Sequence, residues 1–188
     1  MGKIIVFNSV SLDGYFTDTD GDMSFAHNNN PDPEWDAFVS SNARSGGVLL
    51  FGRITYELMA GFWPTKIAAE TMPVIAERMN NLPKFVFSRT LDEALWNNTK
   101  LVKRDLISEI RKMKKDLKDD MAILGSGSIV LQLMQYNLID VYQIVVIPVI
   151  LGKGRTMFEG ISEKVILKLK LTRTFHNGNV LLCYEPVA

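Results

Sequence analysis

Met121-Ala122-Ile123-Leu124-Gly125-Ser126-Gly127-Ser128-Ile129-Val130 is the stretch on which the reading of this chain turns. A short apolar run meets glycine and serine, and a helical pattern then takes over through Ser126–Tyr136. The order is strand, tight junction, helix. Glycine lets a backbone approach a phosphate closely, and the first turn of the helix presents free N–H groups and the positive end of its dipole. Ser126 and Ser128 add hydroxyl donors. The pattern is not GxGxxG, and no acidic residue follows at the spacing of an ordinary dinucleotide unit; nor is there a Gly-Lys-Ser/Thr loop for a nucleoside triphosphate. A turn that merely starts a helix would use the same residues.

Three more segments share the design. Val48–Phe51 runs into Gly52-Arg53-Ile54-Thr55-Tyr56-Glu57, where Thr55 and Arg53 suit an anion through charge-assisted hydrogen bonds. Phe85–Phe87 runs into Ser88-Arg89-Thr90, a group able to hold a phosphate monoester such as the adenosine 2′-phosphate of NADPH. One such bond is worth roughly 1.5–3 kcal/mol, enough to choose NADPH over NADH about ten- to a hundredfold. The first strand leaves through Asn8-Ser9-Val10-Ser11-Leu12-Asp13-Gly14-Tyr15-Phe16. Asn8 and Ser9 are polar inside a strand and need partners, which a ligand would provide. A surface arginine, a plain turn and an Asp-Gly turn are the ordinary alternatives.

Around these junctions the chain alternates apolar runs with helical patterns, as expected of a sheet flanked by helices. Strands are expected at Lys3–Val10, Gly47–Phe51, Lys84–Ser88, Lys100–Lys103, Met121–Leu124 and Val141–Ile147. Helices are expected at Glu34–Ser45, Arg53–Ala60, Ala69–Asn80 and from a cap at Asp105 through Lys118. Asp18–Pro33, with Asn28-Asn29-Asn30, reads as a long loop. At the end, Lys164–Thr174 and Asn179–Glu185 alternate about Asn177-Gly178, the pair suited to a type I′ hairpin turn. The expected fold is a three-layer α/β/α sandwich, one domain over residues 1–188, with a mixed, mainly parallel sheet and an antiparallel C-terminal hairpin.

Composition narrows the function. The 188 residues hold 21 basic and 21 acidic side chains, so no overall field recruits nucleic acid or an anionic membrane. Any bound anion needs local groups. The single cysteine, Cys183, lies in an apolar run and excludes an internal disulfide; it reads as a buried structural residue in a reducing compartment. His27 and His176 are far apart, and no Cys/His cluster has zinc spacing, so no metal is expected. The start, Met1-Gly2-Lys3 into Ile4-Ile5-Val6-Phe7, reads as a strand rather than a signal peptide, and no apolar run approaches about 20 residues. The expected location is the cytoplasm, with a small-molecule partner.

Taken in order, Ser11-Leu12-Asp13-Gly14, Gly52–Glu57, Ser88-Arg89-Thr90, Gly125–Ser128 and Val146-Ile147-Pro148-Val149-Ile150-Leu151-Gly152-Lys153-Gly154 resemble the dihydrofolate reductase-like superfamily, in the branch of the RibD C-terminal domain of riboflavin biosynthesis. The resemblance runs nearly end to end. It implies a sheet of about eight strands and NADPH as cofactor. Arg53 and Thr55, with Gly52 and Ile54, would hold cofactor phosphates, and Ser88, Arg89 and Thr90 would face the adenosine phosphate. Leu124, Gly125, Ser126, Gly127, Ser128 and Ile129 would wrap the pyrophosphate. Ser9 and Val10 would lie beside the nicotinamide, with Phe16 over it. On the substrate side it implies Asn8, Asp13, Gly152 and Gly154, with Arg155 next to that loop. Asp13 and Asp36 are the catalytic candidates, Asp36 by analogy with the helix carboxylate of true dihydrofolate reductases.

The activity implied is NADPH-dependent hydride transfer to a pyrimidine- or pteridine-like heterocycle or a carbonyl. True dihydrofolate reduction and a non-catalytic NADPH- or nucleotide-binding protein are the alternatives. The chain lacks the deaminase domain of the bifunctional riboflavin enzyme. The resemblance also implies a homodimer; the apolar run Val141–Leu151 would either extend into its interface or form a long central strand.

Overall fold

Strand burial explains the architecture. The computed structural model describes residues 2–26, 30–45, 47–161 and 163–187, so Met1, His27, Asn28 and Asn29, named above, lie outside the described residues. Among the described residues ten strands and six α-helices follow in chain order: β1 (Ile4–Ser11), β2 (Tyr15–Thr17), α1 (Pro33–Ser45), β3 (Val48–Gly52), α2 (Arg53–Phe62), α3 (Lys66–Thr71), α4 (Pro73–Asn81), β4 (Lys84–Phe87), β5 (Thr99–Val102), α5 (Leu106–Asp116), β6 (Met121–Leu124), α6 (Gly127–Met134), β7 (Val141–Ile147), β8 (Arg155–Thr156), β9 (Leu167–Thr174) and β10 (Val180–Pro186). Eight form one sheet in the order β5-β4-β3-β6-β1-β7-β10-β9, and β2 pairs with β8 apart from it. From β5 to β7 every pairing is parallel; β10 is antiparallel to both β7 and β9.

The inner parallel strands β3 and β6 are covered on both faces, which is why their sequences run apolar without alternation. On one face Ile4, Val6, Val48, Leu50, Met121 and Ile123 pack under Ile110 and Met113 of α5 and Ile129, Val130 and Leu133 of α6. The intervening residues point the other way. There Leu49, Phe51 and Val86 meet Tyr56 of α2, Met79 of α4 and Trp96. Farther along, Val145, Ile147, Leu181 and Cys183 pack with Phe175 under Trp35 and Phe38 of α1. Burial there pushes the Cys183 thiol up, as expected of a structural cysteine.

Two expected elements differ. The helix expected over Ala69–Asn80 is two, α3 and α4, because Met72, ahead of Pro73, leaves helical geometry (φ −137°, ψ 59°) and Pro73 starts the next helix. The hairpin is not closed by a two-residue type I′ turn. Phe175 O accepts the Gly178 N–H at 3.0 Å and the Phe175 N–H donates to Asn179 O at 2.9 Å, and of Asn177 and Gly178 only Gly178 has positive φ. Type I′ needs both. As for Val141–Leu151, the strand stops at Ile147 before Pro148 and lies between β1 and β10, leaving no free strand edge. Among the described residues no helix is long and apolar enough to cross a membrane.

Candidate active site

The carboxyl ends of β3, β4, β5 and β6 open onto one cleft of about 690 Å³, bounded on its other side by β2 and β8. Ligand sites in open parallel sheets fall at this end, where strand-to-helix junctions turn their amides outward. Its walls bring together Gly52, Arg53, Ile54 and Thr55; Ser88 and Arg89; Ser126, Gly127, Ser128 and Ile129; and Phe16 from β2.

The two glycine junctions are braced into one unit. Ser126 Oγ accepts the Gly52 N–H at 2.9 Å, and Thr55 Oγ1 accepts the Ser126 N–H at 3.0 Å. Ser126 itself is left-handed (φ 51°), and Gly125 before it has φ 62°. A Cβ at Gly125 would lie 2.7 Å from Thr55 Cγ2, so only glycine admits this approach. Neither α2 nor α6 has a side-chain cap, whereas Thr65 caps α3 and Asp105 caps α5. The uncapped first turns of α2 and α6 therefore point unanswered donors and positive dipole ends at the cleft.

Charge follows the same geometry. Four arginines, Arg53, Arg89, Arg104 and Arg155, line the cleft against two carboxylates, Asp105 and Glu159. Arg53 pairs with Glu57 at 2.9 Å. Among the described residues no hydrogen bond or ion pair holds the guanidinium groups of Arg89, Arg104 or Arg155. Asp105 is committed to its cap. The Ser108 amide and hydroxyl, at 2.8 and 2.7 Å, hold its carboxyl below the ordinary value with help from the positive charge of Arg89 and Arg111. A neutral chain thus carries a locally cationic cleft.

Other expected residues lie elsewhere. Asn8 is buried beneath the junction with its side-chain amide spent on Gly125: the Gly125 N–H donates to Oδ1 at 2.6 Å and Nδ2 donates to Gly125 O at 3.1 Å. The partner that Asn8 needs is therefore the glycine loop itself. Ser9 and Val10 are partly buried in β1, Val10 against the core. Leu124 is partly buried against the opposite core. Thr90 falls in a separate shallow hollow with Arg53 and Glu57, because Ser88 Oγ turns the chain by accepting the Thr90 and Leu91 amides.

Neither candidate carboxylate lines the cleft. Asp36 is exposed on α1, whose Trp35 and Phe38 face the core. The ordered carboxylate of that stretch is Asp32, buried where it accepts the Glu34 and Trp35 amides at the head of α1 and the Asn177 amide of the hairpin loop. Burial opposes its ionisation, but those amides outweigh it and leave the group below its ordinary value. Asp13 is exposed and accepts the Ser11 hydroxyl and the Leu151 and Gly152 amides; the Ser11 bond does most to lower its pKa. Gly152 and Gly154 lie in that same loop.

Arg104 is a cleft residue that the sequence motifs do not single out. It stands two residues past β5, just before the cap Asp105, so the strand-end rule applied to Thr99–Val102 would have found it. The strand is short and half exposed, which weakens its pattern.

The sequence model of the family described as the RibD C-terminal domain matches residues 2–183. Among solved structures, a Shewanella sp. PV-4 protein provisionally assigned to riboflavin biosynthesis is similar with a TM-score of 0.75 and 23% identity, covering 99% of each chain. The Thermotoga maritima diaminohydroxyphosphoribosylaminopyrimidine deaminase/5-amino-6-(5-phosphoribosylamino)uracil reductase is similar at 0.67 and 16%, over 99% of this chain and 57% of that one. The Enterococcus faecalis dihydrofolate reductase complexed with NADP(H) is similar at 0.60 and 16%, over 100% and 98%. These likenesses establish the fold: dihydrofolate reductase-like, with an antiparallel hairpin on a mainly parallel eight-stranded sheet.

Proposed function

The chain belongs to the RibD C-terminal domain family, and on that premise we propose that it is an NADPH-dependent reductase of a small pyrimidine- or pteridine-like heterocycle or carbonyl compound. The observation that carries the reading is the pairing of two uncapped helix starts, α2 and α6, braced by Ser126 and Thr55 on an arginine-lined cleft. That donor set fits a pyrophosphate. The relatives' names support it: one neighbour reduces a phosphoribosylaminouracil, and another is a complex with NADP(H).

The reduced nicotinamide supplies the hydride; the chain supplies orientation. Gly127 and Ser128, at the start of α6, and Arg53 to Thr55, at the start of α2, hold the pyrophosphate. Arg89, with Arg104 beside the same end of the cleft, holds the 2′-phosphate that separates NADPH from NADH. Phe16, 8% exposed and leaning on Gly127, would close the cleft beside the start of α6 and help keep water from a bound cofactor. With Asp13 and Asp36 outside the cleft, neither carboxylate stands where it would hand the product its proton.

Titration with NADPH and NADH, followed by nicotinamide fluorescence, tests the cofactor. NADPH is expected to bind more tightly, and Arg89→Ala and Arg104→Ala each to reduce that preference by about ten- to a hundredfold, the worth of one charge-assisted bond. Loss of nicotinamide absorbance with reducible pyrimidines, pterins and dihydrofolate then tests turnover. Absence of NADPH binding would sink the proposal, and tight binding without consumption would make the chain a cofactor-binding protein.

A further inference from the structure

One exposed side chain ties the turn after β1 to the segment that crosses from β7 to β8. Asp13 Oδ1 accepts the Ser11 hydroxyl at 2.6 Å and the Leu151 N–H at 3.2 Å, and Oδ2 accepts the Gly152 N–H at 2.7 Å. The backbone supports it, because the Leu12 N–H donates to Val149 O at 2.8 Å. Ser11 Oγ accepts the Tyr15 N–H at 2.9 Å, which fixes the turn from the other side. The segment from Pro148 to Met157 therefore starts as a strap seated on Asp13.

Its course from there is closely determined. Gly154 passes so near β2 that a Cβ would lie 2.1 Å from Thr17 O. Arg155 and Thr156 then pair with Thr17 and Tyr15. At the far end Met157 Sδ accepts Asn8 Nδ2, the same side-chain amide that holds the Gly125 loop. Arg155 and Met157 line the cleft, and Asp13 does not. Three of roughly four acceptor positions on the Asp13 carboxylate are already filled by protein donors.

We propose that Asp13 is a positioning residue that seats the strap and thereby presents Arg155 to the anionic part of the bound dinucleotide. This rests on the NADPH reading. The direct role, contact with the ligand, differs in sign: a carboxylate beside an anion repels it, so neutralising the carboxylate would improve binding. As an acceptor clamp, its neutralisation weakens binding, since an amide cannot accept from both Ser11 and Gly152 through its two different ends.

NADPH affinity is measured by fluorescence for the wild type, Asp13→Asn, Asp13→Ala, Arg155→Ala and the Asp13→Ala/Arg155→Ala double variant. Tryptic cleavage after Lys153 is timed in parallel, with melting temperatures as the control for global stability. Both Asp13 variants and Arg155→Ala are expected to weaken NADPH by about three- to tenfold, and the double variant by no more than about twofold beyond the weaker single, because the two act through one contact. Cleavage after Lys153 in the Asp13 variants is expected to rise severalfold more than melting accounts for. Tighter NADPH binding by Asp13→Asn, additive effects in the double variant, or unchanged cleavage would each overturn the proposal. If the wild type binds no NADPH, the cofactor reading falls and the presentation of Arg155 with it. The cleavage rate then still decides whether Asp13 seats the strap.

Discussion

Replacing Asn8 tests whether the glycine junction is held from beneath by β1 or waits for a ligand. Asn8 is 3% exposed, and its one amide answers both the N–H and the C=O of Gly125, at 2.6 and 3.1 Å. Asn8→Ala leaves both backbone groups buried without a partner. Each such orphan costs about 1–3 kcal/mol, and water entering the space left by the side chain recovers part of it, so a net loss of about 2–4 kcal/mol is expected. Asn8→Asp is the sharper variant. One oxygen still accepts the Gly125 N–H, but the other faces the Gly125 carbonyl, acceptor against acceptor, unless it carries a proton. Burial and that carbonyl both raise its pKa in the folded state. A group whose folded pKa is raised keeps its stabilising contribution below the unfolded value and loses it as pH rises through the folded value. Asn8→Asp is therefore expected to approach wild-type stability near pH 4 and to fall behind at about pH 7. Urea unfolding across that range reads this directly, with NADPH titration alongside to report the junction. If Asn8→Ala unfolds within about 0.5 kcal/mol of the wild type, or Asn8→Asp follows the wild-type pH profile, Gly125 is not held by Asn8 and the reasoning fails.

Three other variants probe the same structure. Gly125→Ala forces a side chain into left-handed backbone at φ 62° and against Thr55, so a loss of at least about 1–2 kcal/mol and of more than tenfold in NADPH affinity is expected; calorimetry and titration check both, and affinity within twofold of wild type would contradict it. Lys84 is 1% exposed, donates to the carbonyls of Met79, Asn80 and Leu82, and is pushed down to about 8 by burial. Because the unfolded chain binds the extra proton between pH 8 and the ordinary 10.5, this lysine makes stability rise with pH there; Lys84→Met, followed by urea unfolding from about pH 8 to 9.5, is expected to be less stable throughout and to lack that rise. Asp32, held below 3.8, contributes stability present above that value and lost as pH falls through its folded pKa; Asp32→Ala is expected to melt lower at neutral pH and to show a shallower acid transition by circular dichroism.

What could be read from the sequence, and what could not, divides by the distance over which information acts. Met121–Leu124 and Val141–Ile147 are strands with the boundaries their apolar runs suggest, because burial on both faces writes itself into consecutive residues. The glycine junctions were legible for the same reason: the conformational demand at Gly125 and the open amides after it are local. The break before Pro73 was also local and was visible in the proline, but the helical periodicity on either side obscured it. Asn8, Asp13 and Asp36 are different. The partners of Asn8 are 117 and 149 positions away and, Ser11 apart, those of Asp13 are 138 and 139 away, so their sequence context announces only that a polar group needs an answer. A ligand and a distant amide are equivalent answers at that level. The structure separates them by showing which valences are spent. Asn8 and Asp13 have given theirs to the protein, whereas Arg89, Arg104 and Arg155 at the cleft have not. It follows that the cleft offers its ligand three uncommitted guanidinium groups and the backbone amides of two helix starts, while of its two carboxylates Asp105 is spent on the α5 cap. Such a donor set suits an anionic ligand, which is the chemistry the proposed dinucleotide brings to it.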